Sequence, residues 1–274
     1  VSLTVTVAQA TPTFTWSNVA KTYGDSAFSL AAPTVAGSVA GSWSYASATT
    51  SVVSLSGITA TVNAAGNSVV TATFTPTDTT NYVSGGTVTM TISVATADQA
   101  ALTVTSLLGT YGSSVSLSVS GGTTDGSVSY VTTGDGCSIT SGELSKLSAG
   151  DCSVTATMAG NSNYNAVSSL ATTVTFAKAS QSALSVTTTS GTYGIDLTLN
   201  VSGGTTSGLV SYVVTGVGCS QDGGVLEKDA AGDCSVTATM DGNNNYNAVP
   251  SSATTVTFAR VALTVTAEAK SKQF

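Results

Sequence analysis

Apolar and polar residues alternate one for one in short runs along this chain, the period of a strand with one buried face. Val1, Leu3, Val5 and Val7 alternate with Ser2, Thr4 and Thr6. Val88, Met90, Ile92 and Val94 alternate with Thr89, Thr91 and Ser93, and Val115, Leu117 and Val119 with serines. In the run Asp151–Met158, Cys152, Val154, Ala156 and Met158 share one face, and Ser153, Thr155 and Thr157 the other. Glycine-rich turns such as Gly121-Gly122 separate the runs about every ten residues, the spacing of a β-sandwich. The pattern predicts seven or eight short strands per module and gives little support to helix.

The runs recur. Asp151-Cys152-Ser153-Val154-Thr155-Ala156-Thr157-Met158 returns 82 residues later (151 to 233) as Asp233-Cys234-Ser235-Val236-Thr237-Ala238-Thr239-Met240. Asn163-Tyr164-Asn165-Ala166-Val167 likewise becomes Asn245-Tyr246-Asn247-Ala248-Val249, and Val70–Phe74 with Asn81-Tyr82 is a looser upstream copy. A fixed period of this size marks a tandem array. We expect tandem Ig-like β-sandwich domains in an elongated array, with modules at 9–96, 97–178 and 179–260. Residues 1–8 read as the last strand of a preceding repeat. Residues 261–274, whose Ala262-Leu263-Thr264-Val265-Thr266 matches Ala101–Thr105 and Ala183–Thr187, read as the first strand of a following one. The linkers around Ala95–Gln99 and Ala177–Ser182 are short, which favours stiff joints.

Composition narrows the function. Charged residues make up 8% of the chain and apolar ones 41%, so the modules can bury cores and are not disordered by charge. With seven Lys and Arg, a net charge of -7 and no basic patch, nucleic acid is not an expected partner. No apolar run reaches the roughly 18 residues of a spanning helix, so no membrane span is expected in this segment. Histidine is absent. A hydrolase would then need Ser-Lys or paired carboxylates, and Ser145-Lys146 and Glu227-Lys228-Asp229 read instead as strand-edge charge. No enzyme, metal or cofactor is expected. Asp229 with Asp233 lacks the ligand density of a calcium site.

The four cysteines fall at one interval in two modules, Cys137 with Cys152 and Cys219 with Cys234, without CxxC spacing. We expect two disulfides that staple neighbouring strands within a module, unlike the sheet-to-sheet bridge of antibody domains, and an oxidising, extracellular setting. The first module has Ser68 where the thiol would stand. Tyr82, Tyr164 and Tyr246 follow polar turns and read as tyrosine corners, each hydroxyl bonded to backbone a few residues upstream. Trp43 is expected in the core, and Trp16 in the core or at a seam with a preceding domain. The turns Tyr23-Gly24, Tyr111-Gly112 and Tyr193-Gly194 are read as a repeat turn motif.

The turn Lys21-Thr22-Tyr23-Gly24-Asp25, the Asn-Tyr pairs and the closing Leu263–Thr266 with Lys270-Ser271-Lys272 resemble the bacterial immunoglobulin-like repeats, of the MBG type, found in large secreted and surface proteins. The later modules keep only Thr-Tyr-Gly of the opening motif. The resemblance implies a stalk or spacer of an adhesin-like cell-surface protein, with neighbouring repeats as partners and no catalytic residues. Two rivals stand beside it: a subunit of an extracellular filament that self-associates through edge strands, and a glycan-binding adhesin segment.

Overall fold

The computed structural model describes residues 3–270 and 272 and is all-β, apart from one short 3-10 turn at Ala36–Ser38. By internal contacts the chain falls into two units. One comprises residues 1–105, 118–131 and 155–171, the other 106–117, 132–154 and 172–274, so the middle repeat contributes to both.

In the first unit, Val19–Thr22, Gly86–Ala95, Gly66–Pro76 and Gly41–Ser47 lie side by side in that order as a four-stranded sheet. Val19–Thr22 runs parallel to Gly86–Ala95, and the other pairings are antiparallel. A second sheet is formed by Phe28–Ser29, Thr59–Val62 and Val53–Ser56. The core between them holds Leu30, Val53, Ala60, Val70, Met90, Ile92 and Val94, all buried. Every second residue of Gly66–Pro76 from Ser68 onward is buried, so the period-2 pattern of the sequence becomes the inward face directly. Phe74, Trp43 and Phe14 meet near one end of this repeat, with ring centroids 4.9–5.4 Å apart. Trp43 is half-buried in this aromatic cluster. Trp16 packs on the core of its own repeat and donates Nε1–H to the Ala31 carbonyl at 2.7 Å.

The second unit carries the third repeat entire. Ser190–Thr192, Thr254–Ala259, Gly232–Met240 and Val210–Thr215 form a sheet in that order, again with a parallel first pair, and Val249–Pro250 adds to Gly232–Met240. Leu197–Thr198, Val225–Lys228 and Cys219–Asp222 form the opposing sheet. Leu226, Val236, Ala238, Val256 and Phe258 are buried between them. The middle repeat has the same strand set, from Leu102–Val104 to Thr172–Ala177.

Residues 3–9 and 260–270 lie outside any strand, with Leu3, Val5, Val7, Leu263 and Val265 exposed. Alternation makes a strand only where a sheet edge is at hand to complete the ladder, and among the described residues none pairs with these segments. Val1, Ser2, Ser271, Gln273 and Phe274, which belong to the expected end strands and the closing motif, lie outside the described residues.

Candidate functional site: the joints between repeats

The structure brings together two motifs that look separate in sequence. In the first unit the Tyr23 ring meets Tyr164 edge-on, with centroids 5.4 Å apart and planes at 84°. In the second unit Tyr111 meets Tyr246 in the same way, at 5.4 Å and 83°. Each contact joins the turn motif of one repeat to the Asn-Tyr turn of the next. Edge-to-face rings at this distance are attractive beyond the area they bury.

Local chemistry sets up both halves. Gly24 and Gly112 turn the chain at φ of 92° and 83°, a left-handed conformation that glycine adopts without strain. The backbone N–H of Tyr23 donates to the Ala95 carbonyl, and that of Tyr111 to Ala177, which pins each ring beside the end of its own last strand. On the other half, Asn161 Oδ1 accepts from the N–H groups of Asn163 and Tyr164, an Asx turn, and Asn243 does the same for Asn245 and Tyr246. A side chain at Gly160 would collide with the Tyr164 carbonyl, its Cβ only 2.2 Å from the oxygen, and Gly242 stands in the same relation to Tyr246.

A second contact closes each joint. Asn163 Oδ1 accepts from the Ala65 N–H at 2.9 Å, and Asn245 Oδ1 from the Ala149 N–H at 3.0 Å. The linker is held from both sides as well. Ala97 donates its N–H to the Asn163 carbonyl and accepts from Asn165, and Ala179 is bonded in the same manner to Asn245 and Asn247.

Gln99 and Gln181 complete the arrangement, and sequence reasoning missed both. Gln99 is 8% exposed. Its Nε2 donates to the carbonyls of Ala159 and Asn165, while its Oε1 accepts from the Thr123 and Thr124 N–H groups and the Thr124 hydroxyl. Gln181 makes the matching set with Asp241, Asn247, Thr205 and Thr206. The signal was present as Ala97-Asp98-Gln99 and Ala179-Ser180-Gln181, one period apart (97 to 179).

The tyrosine-corner expectation is corrected in its chemistry. Tyr164 and Tyr246 act through their rings across the joint, and among the described residues no hydrogen bond runs from the hydroxyls of Tyr82, Tyr164 or Tyr246 to upstream backbone. A phenol that donates to backbone is Tyr212, whose hydroxyl meets the Leu199 carbonyl at 3.2 Å. Burial raises the pKa of Tyr212, as it does for Tyr45 and Tyr130.

Both disulfides are formed, Cys137–Cys152 and Cys219–Cys234. They do not staple neighbours within one sheet. Cys137 stands on the three-stranded sheet and Cys152 on the sheet containing Gly150–Met158, so each bridge ties the two sheets of its repeat together. The turn at 134–136 explains it, because it carries the chain from the sheet that holds Val128–Thr133 straight to the one that holds Cys137–Thr140. Lys146 and Lys228 lie beside these bridges. Their Nζ donate to the carbonyls of Asp135 and Val217, at 2.6 and 2.8 Å, with Cys137 Sγ and Cys219 Sγ at 3.7 and 3.4 Å. Ser145 is engaged with Ser138 instead of Lys146. Asp233 accepts from the Thr257 hydroxyl and Asp151 from Thr175. Among the described residues no three His, Cys, Asp or Glu side chains gather to hold a metal.

No family model matches the chain, and no curated protein does. Among solved structures it is similar to mouse cadherin-23 EC22-24, at 12% identity and TM-score 0.35, covering 92% of this chain and 99% of that one. It is also similar to mouse protocadherin-24 EC1-3, at 16% identity and TM-score 0.31, covering 95% and 99%. For domains 1-6 of the surface layer protein SbsC the figures are 16% and 0.29, covering 94% of this chain and 41% of that one. At these TM-scores the likeness carries no statement about ligand or activity. Among the described residues no helix is long and apolar enough to cross a membrane.

Proposed function

We propose that the chain is a structural spacer: Ig-like modules at 9–96, 97–178 and 179–260, of the MBG type, within a large extracellular surface or adhesin-like protein. The observation that carries this reading is the linker chemistry. Each linker spends its polar groups on the following repeat, through Ala97 and Gln99 or through Ala179 and Gln181, and has little freedom left to flex. The two disulfides suit an oxidising compartment.

Pulsed electron-electron spin resonance across the first joint tests this, with labels at the exposed Ser44 and Ser129. A spacer gives a narrow distance distribution that broadens with Gln99→Ala. That substitution leaves buried N–H and carbonyl groups unpaired and costs about 1–3 kcal/mol. A broad distribution in the unsubstituted chain would sink the spacer reading.

A further inference from the structure

The flank of the first repeat carries a cleft where the later repeats close a strand ladder. Trp16 stands seven residues before Tyr23 (16 to 23), the place that Val104 holds before Tyr111 (104 to 111) and Val186 before Tyr193 (186 to 193). Both valines are buried, at 2% and 6% exposure, and an indole is too large for a site that fits them. It sits half out of the core against the Tyr45 ring, with centroids 5.7 Å apart. The pairing of Phe14–Thr15 with Thr34–Val35 stops at Thr15, and Pro33, which has no N–H, cannot extend it. In the later repeats the ladder goes on, from the Thr105 N–H to the Ser118 carbonyl and from the Thr187 N–H to the Asn200 carbonyl. Ala31 follows Leu30 as Ser118 follows Leu117 and Asn200 follows Leu199. Its carbonyl accepts instead from the Trp16 Nε1–H at 2.7 Å, and the Ser17 N–H meets no acceptor among the described residues.

The opening is a cleft of about 310 Å³, at the small end of ligand sites, lined by Trp16 and Met90 with Thr15, Ser17, Asn18 and Thr34. Met90 is buried, and the four polar residues are exposed. Asn18 Oδ1 accepts from the Thr91 N–H at 2.8 Å, which fixes the amide and leaves Nδ2 without an acceptor among the described residues. Among them no charged side chain lines the cleft.

We propose that this cleft binds one hexopyranose ring of a neutral glycan. The C–H face of the ring lies on the indole, and its hydroxyls meet Asn18 Nδ2 and the hydroxyls of Thr15, Ser17 and Thr34. An aromatic face beside a few polar groups, with no charge, matches the two-sided chemistry of such a ring. An added β-strand fits less well, because the Ala31 carbonyl and the Thr91 N–H that it would need are already bonded. A neighbouring repeat does not cover this flank either. In the second repeat, which has a neighbour at each end, the matching position is closed by that repeat's own Thr105–Ser118 bond. The inference goes beyond the spacer reading and does not rest on it.

Proton–nitrogen NMR of the whole chain, which has two tryptophans, provides the test. Titration with cellotriose, maltotriose and mannotriose should move the Trp16 indole N–H and the Asn18 side-chain amide with at least one of them. The Trp43 indole should stay in place, and the Kd should be on the order of a millimolar. Asn18→Asp keeps the acceptor for Thr91 and removes the Nδ2 donor, and Thr34→Val removes a hydroxyl while keeping a β-branched strand residue. Each should weaken binding about fivefold, with unchanged melting temperatures to show that the variants fold. No movement of the Trp16 indole at about 20 mM of any of the three sugars overturns the proposal and leaves the spacer reading standing. Binding that both variants leave unchanged overturns it too. A peptide of alternating valine and threonine that moves the Trp16 indole where the sugars do not also overturns it, and assigns the cleft to strand addition.

Discussion

The first and third repeats tie their two sheets together at the same place by different means. In the third, Cys234 on the central strand is bridged to Cys219 on the opposing sheet. In the first, the central strand carries Ser68 at that position, fully buried, with its oxygen 2.8 Å from the Ser47 hydroxyl and accepting from the Thr49 N–H. Ser47 in turn donates to the Val53 carbonyl. A chain of hydrogen bonds thus replaces a covalent bond. Six residues along the same strand the trade reverses. The first repeat pairs Trp43 with Phe74 across the sheet, where the third pairs Val210 with Met240. Small sandwiches are marginal in burial alone. One repeat makes up the difference with aromatic mass and the other with a disulfide, so the two should fail under different insults.

The largest expected effect is in the first repeat. Phe74 is 1% exposed, and Phe74→Ala should cost about 3–5 kcal/mol by opening a cavity beneath Trp43 and Phe14. Met240→Ala should cost less, because Met240 is 8% exposed and removing its narrower side chain opens a smaller cavity. Calorimetric melting of the two variants separates them, and equal losses would break the contrast. Next in size is the bridge. Replacing Cys219 and Cys234 together with serine should cost about 3 kcal/mol for a loop of this length. Hydrogen exchange should show the loss in residues 184–259 while the first repeat keeps its protection, and loss in both would mean that the repeats do not melt independently.

A smaller effect is expected at Ser68→Ala, which takes the acceptor from the part-buried Thr49 N–H and should cost about 1 kcal/mol. Reductant should leave that loss unchanged, in contrast to the third repeat. The smallest concerns pH. Hydrogen bonds from the Asn81 side chain and backbone hold the Asp78 carboxyl below its ordinary pKa. Its folded pKa is depressed, so the stabilisation of the Asn81–Tyr82 turn is present above the unfolded value and lost as pH falls through the folded one. Amide exchange at Asn81 should therefore be flat in protection from about pH 5 to 8 and lose protection below the usual aspartate range. The turn at Asn163 is held by the amide of Asn161 and should show no such loss, which sharpens the comparison between the two turns.

Much of the fold was legible beforehand because β-structure writes a period of two and the repeat wrote it three times. Val154, Ala156 and Met158 fall on the buried face where their alternation put them. The cysteine pairing was legible from equal intervals. Which strands it joins was not, because interval says nothing of whether the intervening hairpin stays in its sheet or crosses to the other. The joints were the least legible part. Tyr23 and Tyr164 are far apart in sequence and belong to different repeats, so no local pattern links them. Gln99 looked like an ordinary linker residue because a solvated glutamine and a buried, fully bonded one are written identically.

Residue types and spacing alone were enough to decide the all-β class, the period of the array, the inward face of each main strand and the partner of each cysteine. These follow from local rules, namely side-chain alternation and turn propensity, repeated until chance was excluded. Tertiary structure decided that the disulfides cross between sheets, that two tyrosine motifs meet at each joint, and that buried glutamines lock the linkers. Those outcomes depend on which surfaces the folded repeats present to one another, and a surface exists only once the chain has folded.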